Sequence, residues 1–145
     1  MGQIKELMTV KPRTVKQGDS IVDAAKLMKG EDTGVAPIVD GDRLVGVITD
    51  RDIAIRGIAA GKGSDGKVRE AMTREVKYCF EDEDIAQVSR NMGEIQVRRL
   101  PVVNRDKRLV GIVSLADLAR EQPDSGKALH EIARPGGQHN QSRAA

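Results

Sequence analysis

The chain says nearly the same thing twice. Ile4-Lys5-Glu6-Leu7-Met8-Thr9 returns as Val68-Arg69-Glu70-Ala71-Met72-Thr73, 64 positions later, and the same shift carries Ile21 to Ile85, Met28 to Met92, Pro37 to Pro101 and Val39 to Val103. One additional residue in the second half moves the shift to 65, so that Leu44-Val45-Gly46-Val47-Ile48-Thr49 falls on Leu109-Val110-Gly111-Ile112-Val113-Ser114, and Asp52 on Asp117. A tandem copy at this period means two similar units built to pack together, because a single unit of this size buries too little surface to be secure alone. The expectation is one domain with a pseudo-two-fold axis and a cleft where the halves meet. Its divisions are a first repeat over residues 4–60, a joint over 61–67, a second repeat over 68–121 and a partly disordered tail over 122–145.

Within each repeat the pattern of elements is strand, helix, strand, strand, helix. Ser20 with Asp23 three residues on forms a capping box, and Ile21, Ala24, Ala25 and Met28 follow as one buried helical face. The second copy offers Asp84 as cap, Gln87 three residues on, and the face Ile85, Val88, Ser89 and Met92. Gly30 and Gly93 read as helix stops. Each helix is followed by a β-hairpin, Val35–Val39 with Leu44–Ile48 across Asp40-Gly41-Asp42, and Leu100–Val103 with Leu109–Val113 across Asn104-Arg105-Asp106. Pro37 and Pro101 cannot donate to a ladder and belong at a strand start or an edge. Short strands around Thr14-Val15 and Tyr78-Cys79 precede the first helices, and closing helices run from Thr49 to about Ala60 and from Ser114 to about Glu121. The fold class is therefore α/β of the mixed (α+β) kind. Gly61 to Gly66 is flexible by composition, Ser125 to Arg134 has the pattern of a short extra helix, and Pro135 to Ala145 has no apolar period.

Composition closes off several classes of function. Tyr78 and Phe80 are the only aromatic residues, so the core is aliphatic and no stacking platform for single-stranded nucleic acid is present. A net charge of +2 announces no polyanion-binding surface. Lys11, Arg13, Lys16, Arg74 and Lys77 could cluster, but charge runs are usually solvated faces. No long apolar span or secretory leader is evident, which reads as a cytoplasmic protein without a membrane partner. The single Cys79 stands at the position of Val15 and reads either as a small buried apolar residue or as a reactive thiol. His130 and His139 lack further Cys or closely spaced acidic partners, so no metal site is expected. Nothing points to an enzyme: there are no paired general acids, no nucleophile with its base and no Walker loop, so no catalytic residue is assigned.

The most specific pair of motifs is Gly46-Val47-Ile48-Thr49-Asp50-Arg51-Asp52 and Gly111-Ile112-Val113-Ser114-Leu115-Ala116-Asp117. Thr-x-x-Asp and Ser-x-x-Asp are helix-capping patterns in their own right. The same geometry also serves a ligand: amides at a helix start favour anions, a hydroxyl there can meet phosphate, and an outward Asp accepts hydrogen bonds from two ribose hydroxyls. Both readings stand on the residues alone.

The ordered set, Met-Thr, helix, apolar-Pro-apolar hairpin, then Gly-apolar-apolar-Thr/Ser-x-x-Asp, occurring twice over about residues 4–121, resembles a tandem pair of cystathionine-β-synthase (CBS) domains, the Bateman module. The Thr-Asp-Arg-Asp-Ile and Gln-Val-Arg-Arg-Leu-Pro-Val-Val segments are similar to those of stand-alone bacterial CBS-pair proteins, hypoxic-response proteins among them. The resemblance implies two adenosine-nucleotide sites, a homodimer, and a role in sensing energy state or stress by regulating another protein. The implied ligands are AMP, ADP or ATP, with S-adenosylmethionine or NAD as further members of the class. Carried over by position, Asp52 and Asp117 are the ribose acceptors, and Thr49 and Ser114 the hydroxyls for sugar or phosphate. Thr14 in one half and Val76, Lys77 and Tyr78 in the other flank adenine, with Val35 and Pro37, and Arg99 and Pro101, as opposing walls. Tyr78 either stacks on the base or simply packs.

The halves differ where phosphate would be held. Arg98-Arg99 precede Pro101, whereas Gly34-Val35 precede Pro37; Arg51 lies inside the first Thr-x-x-Asp, whereas Leu115-Ala116 fill the second. Unequal sites are expected, with Arg99 and Arg51 as the phosphate partners and Arg98 on the solvated face. The competing expectation is a ligand-free structural or stress-associated homodimer that acts through protein–protein contacts.

Overall fold

The computed structural model describes residues 2–120. The expected helix over 125–134, the tail and both histidines lie outside these residues. In chain order the elements are β1 (Thr9–Val10), α1 (Ile21–Glu31), β2 (Val35–Asp40), β3 (Arg43–Thr49), α2 (Asp50–Asp52), α3 (Val68–Ala71), β4 (Cys79–Phe80), α4 (Ile85–Ile95), β5 (Arg99–Val103), β6 (Leu109–Ser114) and α5 (Leu115–Ala119). They form a mixed α+β protein of two compact units: one spans residues 13–76, and the other joins residues 2–12 to residues 77–120.

These units are offset from the repeats of the sequence by one segment. β1 precedes the first hairpin in the chain but pairs antiparallel with β6 of the second, Thr9 opposite Ile112. Its counterpart Thr73 bridges antiparallel to Val47 of the first hairpin, through Val47 N–H to the Thr73 carbonyl at 3.0 Å and Thr73 N–H to the Val47 carbonyl at 2.8 Å. The second unit thus holds a four-stranded sheet in the order β1-β6-β5-β4. In the first unit the β2–β3 hairpin is widened by single bridges, Thr73 on β3 and Val15 parallel to Ile38 on β2. The two prolines sit within strands, and Pro37 costs no ladder bond in the geometry seen here. Pro37 lies opposite Val47, whose amide already donates to Thr73, and the Pro37 carbonyl accepts from Val15 N–H at 3.0 Å.

A side chain is excluded where these outer segments approach. A Cβ on Gly46 would stand 2.5 Å from Met72 Cε and 2.7 Å from the Thr73 carbonyl oxygen; on Gly111 it would stand 2.6 Å from Met8 Sδ and 2.8 Å from the Thr9 carbonyl oxygen. The glycine that opens each Gly-x-x-Thr/Ser-x-x-Asp motif therefore lets the Met-Thr segment close on the strand.

Each unit has an aliphatic core. Ile21, Ala24, Leu27, Met28, Ile38, Ile48 and Val68 meet in the first; Ile4, Val88, Met92, Leu100, Val102, Val113 and Leu118 meet in the second. The buried face of α1 includes Leu27, and Ala25 is exposed rather than buried as its spacing suggests. The α4 face is Ile85, Val88, Ser89 and Met92 as read from the sequence. Cys79 belongs to the second core at 3% exposure, and burial, with Glu83 adding to it, pushes its thiol up to about 12.

The helix ends differ from the sequence reading. Ser20 and Asp23 make the expected capping box, but the Asp84 side chain accepts no capping bond; the first amide of α4 donates to the Gly2 carbonyl at 3.0 Å, and Gln87 turns to Asn91 and Arg90. Gly30 and Gly93 lie inside the helices. The left-handed stop falls on Asp32 (φ 51°) and Gln96 (φ 57°), each donating its amide to the carbonyl of Met28 or Met92. The closing helix of the first half is only Asp50–Asp52 before it widens into a π-helical stretch, Ile53–Ile58. There Ala59 N–H reaches the Ala54 carbonyl and Lys62 N–H the Gly57 carbonyl, both at 2.9 Å, which sets Gly57 against Ile21. The glycine-rich segment folds back on this unit: Gly63–Asp65 makes a 3₁₀ turn, and the Gly66 carbonyl accepts from Ile21 N–H at 2.9 Å.

Gly46→Ala or Gly111→Ala is expected to destabilise the chain by about 1–3 kcal/mol through overpacking against the Met-Thr segment, measured by urea unfolding. A change within error would show that the segment yields freely. Cys79 is expected to resist a thiol reagent at about pH 8 in the folded chain and to react fully on unfolding; rapid labelling of folded protein would contradict its burial.

Candidate functional site

The central strand of each unit ends on a hydroxyl residue and turns at once into a short helix. In the first unit Asp52 N–H donates to Thr49 Oγ1 and Thr49 N–H donates to Asp52 Oδ2, both at 3.0 Å. In the second, Asp117 N–H donates to Ser114 Oγ at 3.1 Å and Ser114 N–H to Asp117 Oδ2 at 2.9 Å. Both motifs are thus reciprocal capping boxes. The hairpin register places the preceding wall residues directly across from them: Val35 opposite Thr49, and Arg99 opposite Ser114. A backbone bond ties the same corner in both units, Asp50 N–H to the Gly34 carbonyl at 2.9 Å and Leu115 N–H to the Arg98 carbonyl at 2.8 Å.

Beyond the caps, the two carboxylates live differently. Asp52 is 1% exposed. The Thr73 hydroxyl lies 3.2 Å from its Oδ2 and 3.4 Å from Oδ1, and Arg56 Nε stands 3.8 Å from Oδ1 while Arg56 Nη1 donates to the Met72 carbonyl at 3.2 Å. Burial raises the pKa of Asp52 above the ordinary aspartate value, against the opposing pull of the Thr49 bonds, Arg56 and Thr73. The Asp117 side chain is 13% exposed, and its second oxygen accepts from Arg120 Nη2 at 2.6 Å, on a guanidinium that is itself 73% exposed. Such a surface pair contributes little to stability, and its oxygen is exchangeable with another donor.

The remaining sequence-derived residues divide between the units. In the first, Thr14 and Arg51 are exposed, Val35 and Val76 half-buried and Pro37 buried. In the second, Lys77, Tyr78, Arg99 and Ser114 are half-buried, Pro101 is buried and Arg98 is exposed. Tyr78 meets Phe80 edge-to-face at 5.6 Å, with Lys107 Nζ 5.2 Å from its ring centre, while Arg105 covers Phe80 at 4.1 Å and forks onto Asp82. The ring is thus in contact with Phe80 and Lys107. Thr73, Arg56 and Arg120 were missed by the sequence reading. Arg56 and Arg120 carry a local signal, four and three residues after their aspartates, whereas Thr73 reaches Asp52 across 21 residues.

The doubled α+β unit, each copy turning at a Thr/Ser-x-x-Asp corner, defines a protein made of tandem repeats of one small fold. The chain belongs to the CBS domain family: the family model matches residues 4–56 and again residues 68–124. Hypoxic response protein 1 of Mycobacterium tuberculosis is 37% identical over 126 residues, covering 86% of this chain and 87% of that protein. A crystal structure of a hypoxic response protein with two coordinated zinc ions superposes with a TM-score of 0.75 and 37% identity, over 84% of this chain and all of that one. The CBS domain pair of protein MJ0100, solved with 5′-methylthioadenosine and S-adenosyl-L-methionine, gives 0.73 at 34% identity, over 88% and 98% of the two chains. CBSX2 solved with AMP gives 0.73 at 27% identity, over 83% and 95%. Among the described residues no three His, Cys, Asp or Glu side chains are grouped to hold a metal ion, and no helix is long and apolar enough to cross a membrane.

Because burial raises the Asp52 value in the folded chain, this residue binds its proton more tightly folded than unfolded. Its contribution to stability is fullest in acid and declines as the pH rises from the ordinary aspartate range through the raised one. Asp52→Asn is expected to remove that decline, so that urea unfolding at about pH 4 and pH 7 shifts the comparison toward the variant at the higher pH; parallel profiles would contradict the assignment.

Proposed function

We propose that the chain is a regulatory module that binds adenosine-containing ligands and carries no catalytic activity of its own. The observation that carries this reading is the corner at Ser114: a hydroxyl, the partly open Asp117 carboxylate and Arg99 directly across the strand pair. A carboxylate with one exchangeable oxygen suits a pair of ribose hydroxyls, and a guanidinium beside a hydroxyl suits phosphate. Relatives solved with AMP, and with 5′-methylthioadenosine and S-adenosyl-L-methionine, support the ligand class. Pro101 forms the wall, and Lys77 and Tyr78 flank the base. In the first half Asp52 and Thr49 take the sugar, Thr14, Val35 and Pro37 the base, and Arg51 the outer part of the ligand. AMP, ADP and ATP are the leading ligands. The chain works as a cytoplasmic homodimer whose output acts on a separate protein, and a ligand must prefer one of its arrangements to change that output.

One observation favours the ligand-free alternative: Asp52 is buried and fully engaged by its own unit. Under that reading the motifs are caps and the dimer acts through protein contacts. Thermal unfolding of nucleotide-free protein with AMP separates the two. A rise in Tm with AMP that is abolished in Asp117→Ala is expected. No rise in the unaltered chain, with Asp117→Ala costing only the cap at about 1 kcal/mol, would favour the alternative.

A further inference from the structure

We infer that the two units sort adenosine ligands by charge, the second taking a phosphate-bearing ligand and the first an adenosine derivative without phosphate; this rests on the adenosine reading above. The argument is a comparison of matched positions on one backbone. At the corner of the second unit stand Arg98, Arg99, Leu115, Ala116, Asp117 and Arg120; the matched residues of the first are Gly34, Val35, Asp50, Arg51, Asp52 and Ile55. Three arginines and one aspartate give the second set +2, and one arginine and two aspartates give the first −1; the next matched pair, Glu121 and Arg56, brings these to +1 and 0, so the contrast lies at Arg98 and Arg99 against Gly34 and Val35, and at Leu115 against Asp50. Arg56, whose counterpart lies outside the described residues, is engaged by Asp52 and the Met72 carbonyl.

Geometry places these charges where they matter. Arg99 is the cross-strand neighbour of Ser114 and Arg120 reaches Asp117, so two arginines adjoin this corner, with the exposed Arg98 next to Arg99 in the chain. Neither Arg98 nor Arg99 has an ion-pair partner among the described residues. In the first unit the apolar Val35 faces Thr49, and a Cβ on Gly34 would stand 2.9 Å from Asp50 Oδ2. A carboxylate thus fills the space beside residue 34, next to the strand end that Arg99 and Arg98 mark in the other unit. Arg51 is exposed beside it, and the two charges largely offset. Phosphate finds no unopposed cation there and has the Asp50 carboxylate beside it, whereas a neutral thioether or a sulfonium at the 5′ position needs no cation.

Calorimetric titration of the full chain, freed of carried-over nucleotide, tests the sorting with AMP and 5′-methylthioadenosine as probes. AMP is expected to bind one equivalent per chain, weakened by about tenfold or more in Arg99→Ala through loss of a charge-assisted bond. With AMP saturating, 5′-methylthioadenosine is expected to titrate one further equivalent, unaltered by Arg99→Ala. The double substitution Val35→Arg with Asp50→Leu should raise AMP to two equivalents. Asp50→Asn, on an exposed residue, should by itself admit a second, weaker one. Two equal AMP equivalents in the unaltered chain, or loss of AMP binding in Arg51→Ala with Arg99→Ala unaffected, would overturn the sorting alone. No binding of either probe would overturn the adenosine reading and the sorting with it.

Discussion

The constraint on which the structure turns is the end of each central strand, where β3 and β6 must pass from sheet to helix within a single residue. Thr49 with Asp52, and Ser114 with Asp117, meet the amides exposed there by exchanging hydrogen bonds in both directions. Each aspartate spends one oxygen on this task. What the other oxygen does is then free to differ, and it does: in one unit it is buried with Arg56 and near the Thr73 hydroxyl, in the other it rests on a solvent-exposed arginine. The capping role thus leaves one oxygen of each carboxylate outside the box, which is the oxygen that the proposed sugar contact requires.

Around that shared corner the backbone has kept its bonds while the side chains have diverged. The amide-to-carbonyl link from residue 50 to residue 34 is reproduced from 115 to 98, and the glycine of each motif meets the Met-Thr segment at nearly the same distance. Helix α1 receives the Gly66 carbonyl as α4 receives that of Gly2. Charge has moved freely over this frame, because exposed positions such as 98, 51 and 120 carry no packing burden. A duplicated fold can thereby hold two chemically different corners without a change of topology.

Much of this was legible in the sequence because its signals are local or repeated. The hairpins announced themselves by turn residues between apolar runs, the Ser20–Asp23 box by its spacing, and the α4 face by its period. Where the reading missed, the cause is distance or competition. Helix α1 passes Gly30 because Asp32 accepts the left-handed conformation and its amide closes on Met28. Leu27 displaces Ala25 from the buried face because the larger side chain fills the first core. The reason for Gly46, and the part played by Thr73, depend on a segment more than twenty residues away in the chain, which no local pattern reveals. The corner at Ser114 was legible as residues, but Arg120 became part of it only in three dimensions.

The most direct measurement is a crystal structure of the chain grown with AMP. The account predicts the ribose hydroxyls on the outer oxygen of Asp117 at about 2.5–3.0 Å, with the phosphate against Arg99 and Ser114. AMP bound elsewhere, with Asp117 still closed on Arg120 and Arg99 turned to solvent, would contradict it.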